Sequence, residues 1–281
     1  MTQDPNNKKH SGVWILAEQT NGRIGRISHE LLTRGRALAD KLQTDLTAMV
    51  FGCDIPDDDL QDLIVCGADR IIAMEAPELT TFLVEPYAAC AAKLIDEYRP
   101  EILLAGATST GRTLMPYLAI KIHAGLTADC TELDIDPETG LLRQTRPAFG
   151  GNILATITCE HHRPQMATVR PNVFAVSETP ETGRKGDIED FDVALQRGVV
   201  RTKILEVEKV GTAGGGIDNA EVIVAAGQGL NSPDDLDMLR ELADELGGTL
   251  AGSRPLVEAG WIPHTLQVGQ SGITVSPKLY I

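Results

Sequence analysis

Aromatic side chains are scarce in this sequence of 281 residues, since phenylalanine, tryptophan and tyrosine together make up 4%. A core must therefore be built from leucine, isoleucine, valine and alanine, a usage that suits helices stacked on a sheet. Hydrophobic residues reach 42% and charged residues 23%, an ordinary globular composition. The length permits one large domain or two of common size.

Basic residues are also few. Lysine and arginine number 25 against 40 aspartates and glutamates, which gives a formal net charge of -15. Such a chain repels a phosphate backbone or an anionic lipid surface, and no lysine/arginine stripe offsets the repulsion. We therefore expect no nucleic-acid partner, although a local basic pocket for a phosphate-bearing cofactor remains open.

Long apolar runs and paired cysteines are missing. No stretch approaches the roughly 18 apolar residues of a membrane helix, so we expect no membrane insertion. The start, MTQDPNNKKH, has neither the apolar region of a signal peptide nor an arginine-rich amphipathic pattern. The five scattered cysteines, without a C-x-x-C pair, favour reduced thiols and no metal or iron–sulfur site. We predict a bacterial-type cytoplasmic protein, with the mitochondrial matrix as the second alternative.

Short apolar runs alternate with helical patterns in the first part of the chain. The order predicts βαβαβ units, a largely parallel sheet and right-handed crossovers. Predicted strands cover 13–17, 46–51, 70–73 and 101–107. Predicted helices begin at a Ser28 cap, run over 56–67 and 84–98, and follow the segment 108–112.

The pattern changes after Asp129. Strands predicted at 131–136, from 141, at 153–159 and at 166–170 are interpreted as an antiparallel appendage to the parallel sheet. The polar segment 177–190 predicts an exposed loop, and 203–207 a further strand.

The glycine cluster at 211–216 marks the predicted boundary between a domain of residues 1–210 and one of residues 211–281. In the second, strands at 221–226 and 249–252 flank a helix. Ser232 is its predicted cap, and Pro233 its first residue.

Several polar segments are ambiguous. Residues 227–232 are a partial dinucleotide fingerprint without its third glycine, so a tight turn is the competing interpretation. The segment 108–112 is equally typical of a site and of a helix cap. Asp129-Cys130 and the segment 161–163 contain nucleophile and base types but no triad spacing, and no catalytic residue is predicted. The segment 146–152 is either a hairpin turn or a loop presented to a partner.

The strongest candidate combines Ser253-Arg254, at the end of a strand, with the segment 267–272. Two carboxamides, a hydroxyl and backbone N–H groups stand there beside small residues. Such a set can hydrogen-bond the edge of a flat heterocycle, and a pair of surface loops is the structural alternative.

Long motifs in order along the chain resemble the alpha subunit of electron transfer flavoprotein. They are GVWILAEQ (12–19), EILLAGATSTGR (101–112), GLTADCTELDID (125–136), TRPAFGGN (145–152), RPQMATVRP (163–171), AGSRPLVEAGWIP (251–263) and QVGQSG (267–272). The resemblance covers essentially the whole chain.

The resemblance implies a heterodimer in which a first α/β domain packs against a beta subunit and a second, flavodoxin-like domain binds FAD. It implies electron transfer from flavin dehydrogenases, such as acyl-CoA dehydrogenase, to further acceptors. Some anaerobic relatives also bifurcate electrons from NADH.

It also implies individual roles. Ser253 and Arg254 would lie beside the isoalloxazine, and Gln267, Val268, Gly269, Gln270, Ser271 and Gly272 would form its surrounding loop. Ser271 stands where many members have a threonine that bonds flavin N5. Gln228 replaces the usual arginine of a Gly-Arg-Gly turn, and Ile273 replaces a common lysine.

Two other functions compete with this one. A nucleotide-binding regulatory or scaffold subunit fits the same βαβ order, whereas a conventional NAD dehydrogenase requires a complete glycine fingerprint that is missing here. The family continues beyond the strand predicted at 279–281, so we expect the sequence to be an incomplete record of a longer chain, with a real truncation as the alternative.

Overall fold

The computed structural model describes residues 9–148, 153–176, 183–192, 200–207, 216–217 and 220–281. The chain forms two compact units, Met1–Lys203 and Ile204–Ile281. The domain boundary predicted at 210/211 lies outside the described residues. Among the described residues, no helix combines the length and the apolar character needed to cross a membrane.

A seven-stranded sheet forms the centre of the first unit, and all its neighbouring strands run parallel. The strands of this unit are β1 (Val13–Ala17), β2 (Gln19–Thr20), β3 (Arg23–Ile24), β4 (Leu46–Gly52), β5 (Arg70–Glu75), β6 (Ile102–Gly106), β7 (Leu126–Cys130), β8 (Glu132–Ile135), β9 (Leu142–Ala148), β10 (Ile153–Ile157), β11 (Gln165–Val169) and β12 (Asp187–Asp190). The large sheet has the order β12-β5-β4-β1-β6-β11-β7, which confirms the predicted parallel α/β architecture.

Helices cover both faces of this sheet. They are α1 (Arg26–Leu42), α2 (Asp57–Val65), α3 (Val84–Tyr98) and α4 (Ser109–Lys121). The buried side chains of α1 and α2 share a core with Val13 and Ile15, whereas those of α3 and α4 share a core with Trp14 and Leu16. Because successive strand residues point to opposite faces, β1 must be apolar throughout, as its sequence is.

The predicted start of the first helix is wrong by about one turn. α1 begins at Arg26, and Ser28 lies inside it with its hydroxyl accepting a hydrogen bond from Glu18 N at 2.9 Å. By contrast, the hydroxyl of Thr108 does cap α4, accepting from Gly111 N at 3.1 Å. Serine serves equally as a cap and as a partner for a distant backbone group, so local sequence alone misplaces the start.

The antiparallel appendage is confirmed as a sheet of order β10-β9-β8, but the segment 166–170 does not belong to it. That segment is β11, which pairs in parallel with β6 and β7 inside the large sheet. All five residues of β11 are buried, as an interior parallel strand requires. A five-residue run does not encode which neighbour it will pair with, and so the prediction failed here.

Two further predictions, at 177–190 and 203–207, are wrong. Within the predicted loop 177–190, Asp187–Asp190 forms β12, an edge strand parallel to β5, while 177–182 lies outside the described residues. The polar sequence of β12 is compatible with this position, because an edge strand has a neighbouring strand on one side only and its side chains can remain in contact with solvent. The predicted strand at 203–207 has no strand structure.

The second unit contains β13 (Val222–Ala226), α5 (Asp235–Glu245), β14 (Thr249–Gly252), α6 (Arg254–Glu258) and β15 (Leu279–Tyr280). Its parallel sheet has the order β14-β13-β15, as the predicted βαβ unit requires. α5 begins at Asp235 rather than Pro233, and residues 233–234 form a turn ahead of it. The Asp235 carboxylate accepts hydrogen bonds from Asn231 N at 2.9 Å and Ser232 N at 3.1 Å, which ties the preceding turn to the helix.

Candidate functional site

The candidate site lies at the carboxyl edge of the second sheet. β13 and β14 run in register to Ala226 and Gly252, so the residues that follow them emerge at the same edge. Ser253 N donates to Ala226 O at 3.0 Å, which ties the two strand ends together. Parallel α/β sheets bind ligands at such edges.

The loop 267–272 is brought to this edge by backbone hydrogen bonds. Gln267 bridges Gly252 in parallel, and Val268 N donates to Gly252 O at 2.9 Å. Ile273 N donates to Gln267 O at 2.8 Å and closes the loop at its other end. The tertiary structure thus brings the loop next to Ser253-Arg254. In the sequence the two segments are separated by α6 and the turn that follows it.

Gln267 supports the loop from within. It is 2% exposed, and its side-chain Nε2 donates to Ser271 Oγ at 3.0 Å. The hydroxyl hydrogen of Ser271 is still available as a donor, since an –OH group both donates and accepts. Of the two carboxamides predicted for this loop, only that of Gln270 is exposed to solvent.

Two glycines in the loop serve different purposes. A Cβ at Gly272 would lie 2.3 Å from Gln267 O, so the closed loop has room only for glycine there. Gly269 has a φ of +119°, a conformation that other residues rarely adopt, and a Cβ there would meet nothing within 4 Å. A bare backbone surface therefore faces open space at Gly269.

A cavity of about 520 Å³ adjoins the loop. Its volume falls within the usual range of small-molecule sites, roughly 300–1,000 Å³. It is lined by Val268, Gly269, Gln270, Ile273, Thr274, Val275, Pro277 and Tyr280. Apolar side chains thus share this cavity with backbone and carboxamide donors.

Arg254 provides positive charge at the same edge. It opens α6, and its Nε donates to Glu258 Oε1 at 2.7 Å; the two side chains are 64% and 62% exposed. This pair uses only the Nε–H of the guanidinium, which has five N–H groups. The two terminal NH₂ groups of Arg254 therefore remain available to a ligand.

The turn after β13 is exposed, and Gln228 lies at its centre. A Cβ on Gly227 or Gly229 would meet nothing within 4 Å, so a ligand can approach the backbone here. The amides of Asn231 and Ser232, however, already donate to the Asp235 carboxylate. The partial dinucleotide fingerprint is therefore a capped turn whose later amides are not open to a phosphate.

The other polar segments have structural partners. Arg170 binds Asp129 through two hydrogen bonds of 3.1 and 2.6 Å, and burial raises the pKa of the Cys130 thiol to about 12. Arg163 is bonded to Glu101, and its two histidine neighbours are solvent-facing. Residues 149–152 lie outside the described residues.

Glu18 was missed by the sequence analysis, which named only the segment 108–112 of the polar cluster to which it belongs. Glu18 follows β1, and Thr108 follows β6, where the strand order of the large sheet reverses. Thr108 Oγ1 lies 2.8 Å from both carboxylate oxygens of Glu18. Burial raises the pKa of Glu18 to about 7, against the lowering effect of hydrogen bonds from Thr108 and Gly106. An acidic residue directly after an apolar strand was the available signal.

Comparison with known proteins assigns both units. Residues 13–196 match the family model of the electron transfer flavoprotein domain, and residues 216–281 match that of the electron transfer flavoprotein FAD-binding domain. Every residue predicted to bind the cofactor, from Gln228 to Gly272, falls within the second match.

Three relatives illustrate the similarity. Protein FixB of Clostridium saccharobutylicum is 45% identical over 272 residues, covering 97% of this chain and 80% of that protein. Electron transfer flavoprotein subunit alpha of Thermoanaerobacterium thermosaccharolyticum is 45% identical over 272 residues, covering 97% and 82%. Lactate dehydrogenase (NAD(+),ferredoxin) subunit LctC of Acetobacterium woodii is 39% identical over 272 residues, covering 97% and 64%.

Proposed function

Because the chain belongs to the electron transfer flavoprotein alpha-subunit family, with FAD as its cofactor, we propose that the edge described above holds the redox-active ring. The observation that carries this proposal is the convergence of Ser253-Arg254 and the loop 267–272 at one edge of the sheet. A cavity adjoins the loop there and is lined by its Val268, Gly269 and Gln270. The exposed glycine backbone and the donor-rich loop fit a flat, hydrogen-bonding ring system.

FAD supplies the electron chemistry when bound, and the protein supplies orientation and electrostatics. Arg254 is permanently cationic and favours added negative charge nearby. The Ser271 hydroxyl is oriented by Gln267 and offers its hydrogen to an acceptor at the loop. Gln228 brings a neutral amide to the turn where a cation is usual in the family, so the turn would hold the cofactor less firmly.

The physiological role that follows is electron transfer between a flavin dehydrogenase, such as acyl-CoA dehydrogenase, and further acceptors, in the cytoplasm. A second candidate is favoured by the 39% identity to LctC, whose name couples NAD(+) and ferredoxin. In that case the complex bifurcates electrons drawn from NADH. Reduction of ferredoxin by the complex with NADH would distinguish the second role from the first.

Alpha subunits of this family pair with a beta subunit, and we assign β10 to that contact. Ile153, Leu154 and Ile157 are 59%, 62% and 38% exposed. Within the described residues, β10 pairs only with β9, so one strand edge is available beside these apolar side chains. An exposed apolar edge strand is costly to a soluble chain unless a partner covers it.

The β10 contact is tested by changing Leu154→Lys and co-expressing the two subunits. We expect less beta subunit to co-purify, because a charge would be buried in the interface. Ile120→Lys is the matched control, since Ile120 is 78% exposed on α4. Equal recovery of beta with both variants would refute the assignment.

The flavin role is tested by an absorption spectrum and a stepwise anaerobic reduction of the complex with its beta subunit. We expect flavin bands in the alpha–beta complex and a lower first reduction potential in Arg254→Ala. A charge-assisted hydrogen bond contributes about 1.5–3 kcal/mol. This corresponds to about 65–130 mV for one electron. Exposure of Arg254 reduces the expected change to tens of millivolts.

Glu258→Gln is the control for this variant, because it removes the charged partner of Arg254 and retains the cation. We expect its potential to stay level or rise. An unchanged potential in Arg254→Ala with FAD still bound would remove Arg254 from the site. A folded complex without flavin would favour the regulatory or scaffold function.

A further inference from the structure

Three side chains of metal-ligand type converge in the first unit, away from any residue assigned above. They are His29 on α1 and Asp62 and Cys66 at the end of α2. One ligand atom from each lies within 4.8 Å of the other two. His29 Nε2 is 2.7 Å from Asp62 Oδ2, and Cys66 Sγ is 3.9 Å from Asp62 Oδ1. Among the described residues, no other group of three has this arrangement.

The fold holds these side chains together without an ion. α1 and α2 pack on the same face of the large sheet through fully buried leucines and an isoleucine (Leu31, Leu32, Leu63 and Ile64). Asp62 and Cys66 are four residues apart and therefore lie on one side of α2. Cys66 N donates to Asp62 O at 2.8 Å, which fixes the turn that carries both ligands.

We propose that His29, Asp62 and Cys66 form a Zn²⁺ site, with water as the fourth ligand. An imidazole nitrogen, a carboxylate oxygen and a thiolate sulfur are the three ligand types that zinc takes in proteins. Zinc needs its N and O ligands at about 2.0–2.2 Å and sulfur at about 2.3 Å. Tetrahedral ligands at those distances lie about 3.3–3.8 Å from one another. The present ligand atoms are already within 4.8 Å of one another.

Local charge favours a cation at this position. Asp57 and Asp58 lie in the first turn of α2, ahead of Asp62 on the same helix, whereas the third aspartate of that turn, Asp59, is paired with Arg23. The chain as a whole carries -15. Such a concentration of negative charge raises the local concentration of cations. Cys66 is half-buried, whereas Asp62 is exposed, so an ion can enter from the Asp62 side.

Binding exchanges one set of contacts for another. The ion takes the place of the hydrogen between His29 Nε2 and the Asp62 carboxylate. The imidazole then binds as the neutral tautomer with its hydrogen on Nδ1, so a neutral ring moves its proton from Nε2 to Nδ1 and an imidazolium releases one proton to solvent. The Cys66 S–H bond breaks as the Zn–S bond forms, and its proton goes to solvent. No electron transfer is involved, so this site is independent of the flavin.

The test is calorimetric titration of Zn²⁺ into the chelator-treated full chain, purified with its beta subunit. We expect one zinc ion per alpha chain in the unchanged protein. His29→Gln keeps a hydrogen-bond donor for Asp62 but removes the imidazole, and Cys66→Ser keeps the shape but removes the sulfur. Each should weaken zinc binding by about tenfold or more.

Cys53→Ser is the matched control. Its thiol also lies near a carboxylate, 3.5 Å from Asp54 Oδ2, but it belongs to no group of three ligands among the described residues. We expect it to bind zinc as the unchanged protein does. Tryptophan fluorescence, to which the buried Trp14 of β1 contributes, is measured on the unchanged protein and on every variant and checks that the first unit is folded.

The absence of zinc binding to the unchanged protein would overturn the proposal. Binding that persists equally in His29→Gln and Cys66→Ser would overturn it as well, because the ion would then lie elsewhere. As a second readout, zinc should protect Cys66 from alkylation while leaving Cys53 reactive. Equal protection of both thiols would contradict a site at Cys66.

Discussion

Glu18 offers the sharpest quantitative prediction in this molecule. Its pKa is raised from 4.5 to about 7, chiefly by burial. Between those values the folded state binds a proton that the unfolded state releases. The free energy of unfolding must therefore fall as pH rises through this window. The stabilisation is fully present below about pH 4.5 and is lost above about pH 7.

The magnitude follows from the size of the pKa difference. One pKa unit corresponds to about 1.4 kcal/mol, so the full effect is about 3 kcal/mol. Between about pH 5 and about pH 8 the expected loss is roughly 2.5 kcal/mol. Glu18→Gln removes the titrating group and keeps an oxygen to accept from Thr108. Other groups, including the buried Glu30, titrate in both proteins and cancel in the difference.

Tryptophan fluorescence provides the assay. Trp14 lies on β1, is 3% exposed and has its ring centroid 5.5 Å from that of Tyr98, so it reports unfolding of the first unit. The only other tryptophan is Trp261, which is replaced by phenylalanine in both proteins. Urea unfolding at the two pH values then gives the free energy of unfolding of each protein. If the difference in this free energy between the unchanged protein and Glu18→Gln were the same at both pH values, the reasoning would be refuted.

Two further substitutions test packing. Gly272→Ala should lower flavin retention, measured as the absorbance ratio after gel filtration, because its Cβ would lie 2.3 Å from Gln267 O. Gly25→Ala is its control, because a Cβ there would meet only Glu18 O at 3.5 Å, an ordinary contact. Equal flavin retention in the two variants would contradict the steric argument. Tyr87→Phe should lower the free energy of unfolding by about 1–2 kcal/mol, because it removes the hydroxyl that lies 3.0 Å from Leu79 O. Urea unfolding at neutral pH measures this loss, and a change near zero would show that the buried hydroxyl contributes no net stability.

Sequence patterns predicted the elements whose environment is uniform along their length. β1 and β6 are buried on both faces, so their runs are apolar without interruption, and α3 matches the predicted 84–98. Patterns failed where a residue's partner is distant. β11 was assigned to the wrong sheet, and β12 was taken for a loop because a polar edge strand resembles one.

The candidate site shows the same division. Residues 253–254 and 267–272 were selected from the sequence because of their small and hydrogen-bonding side chains. Gln267 is buried and donates to Ser271, whereas Gln270 is exposed. The sequence, in which both are glutamines of one short loop, could not predict this difference. Nor could it predict the contact of His29 with Asp62, since those residues come from separate helices.

The sequence by itself determined the alternation of strands and helices and, through its long motifs, the family and its flavin. These properties depend on local composition and on residue order. Only the tertiary structure decided which strand ends meet, which polar groups are buried and which side chains face a common cavity. Those properties arise when segments far apart in the chain pack together, and packing sets both the pKa of Glu18 and the shape of the loop beside Arg254.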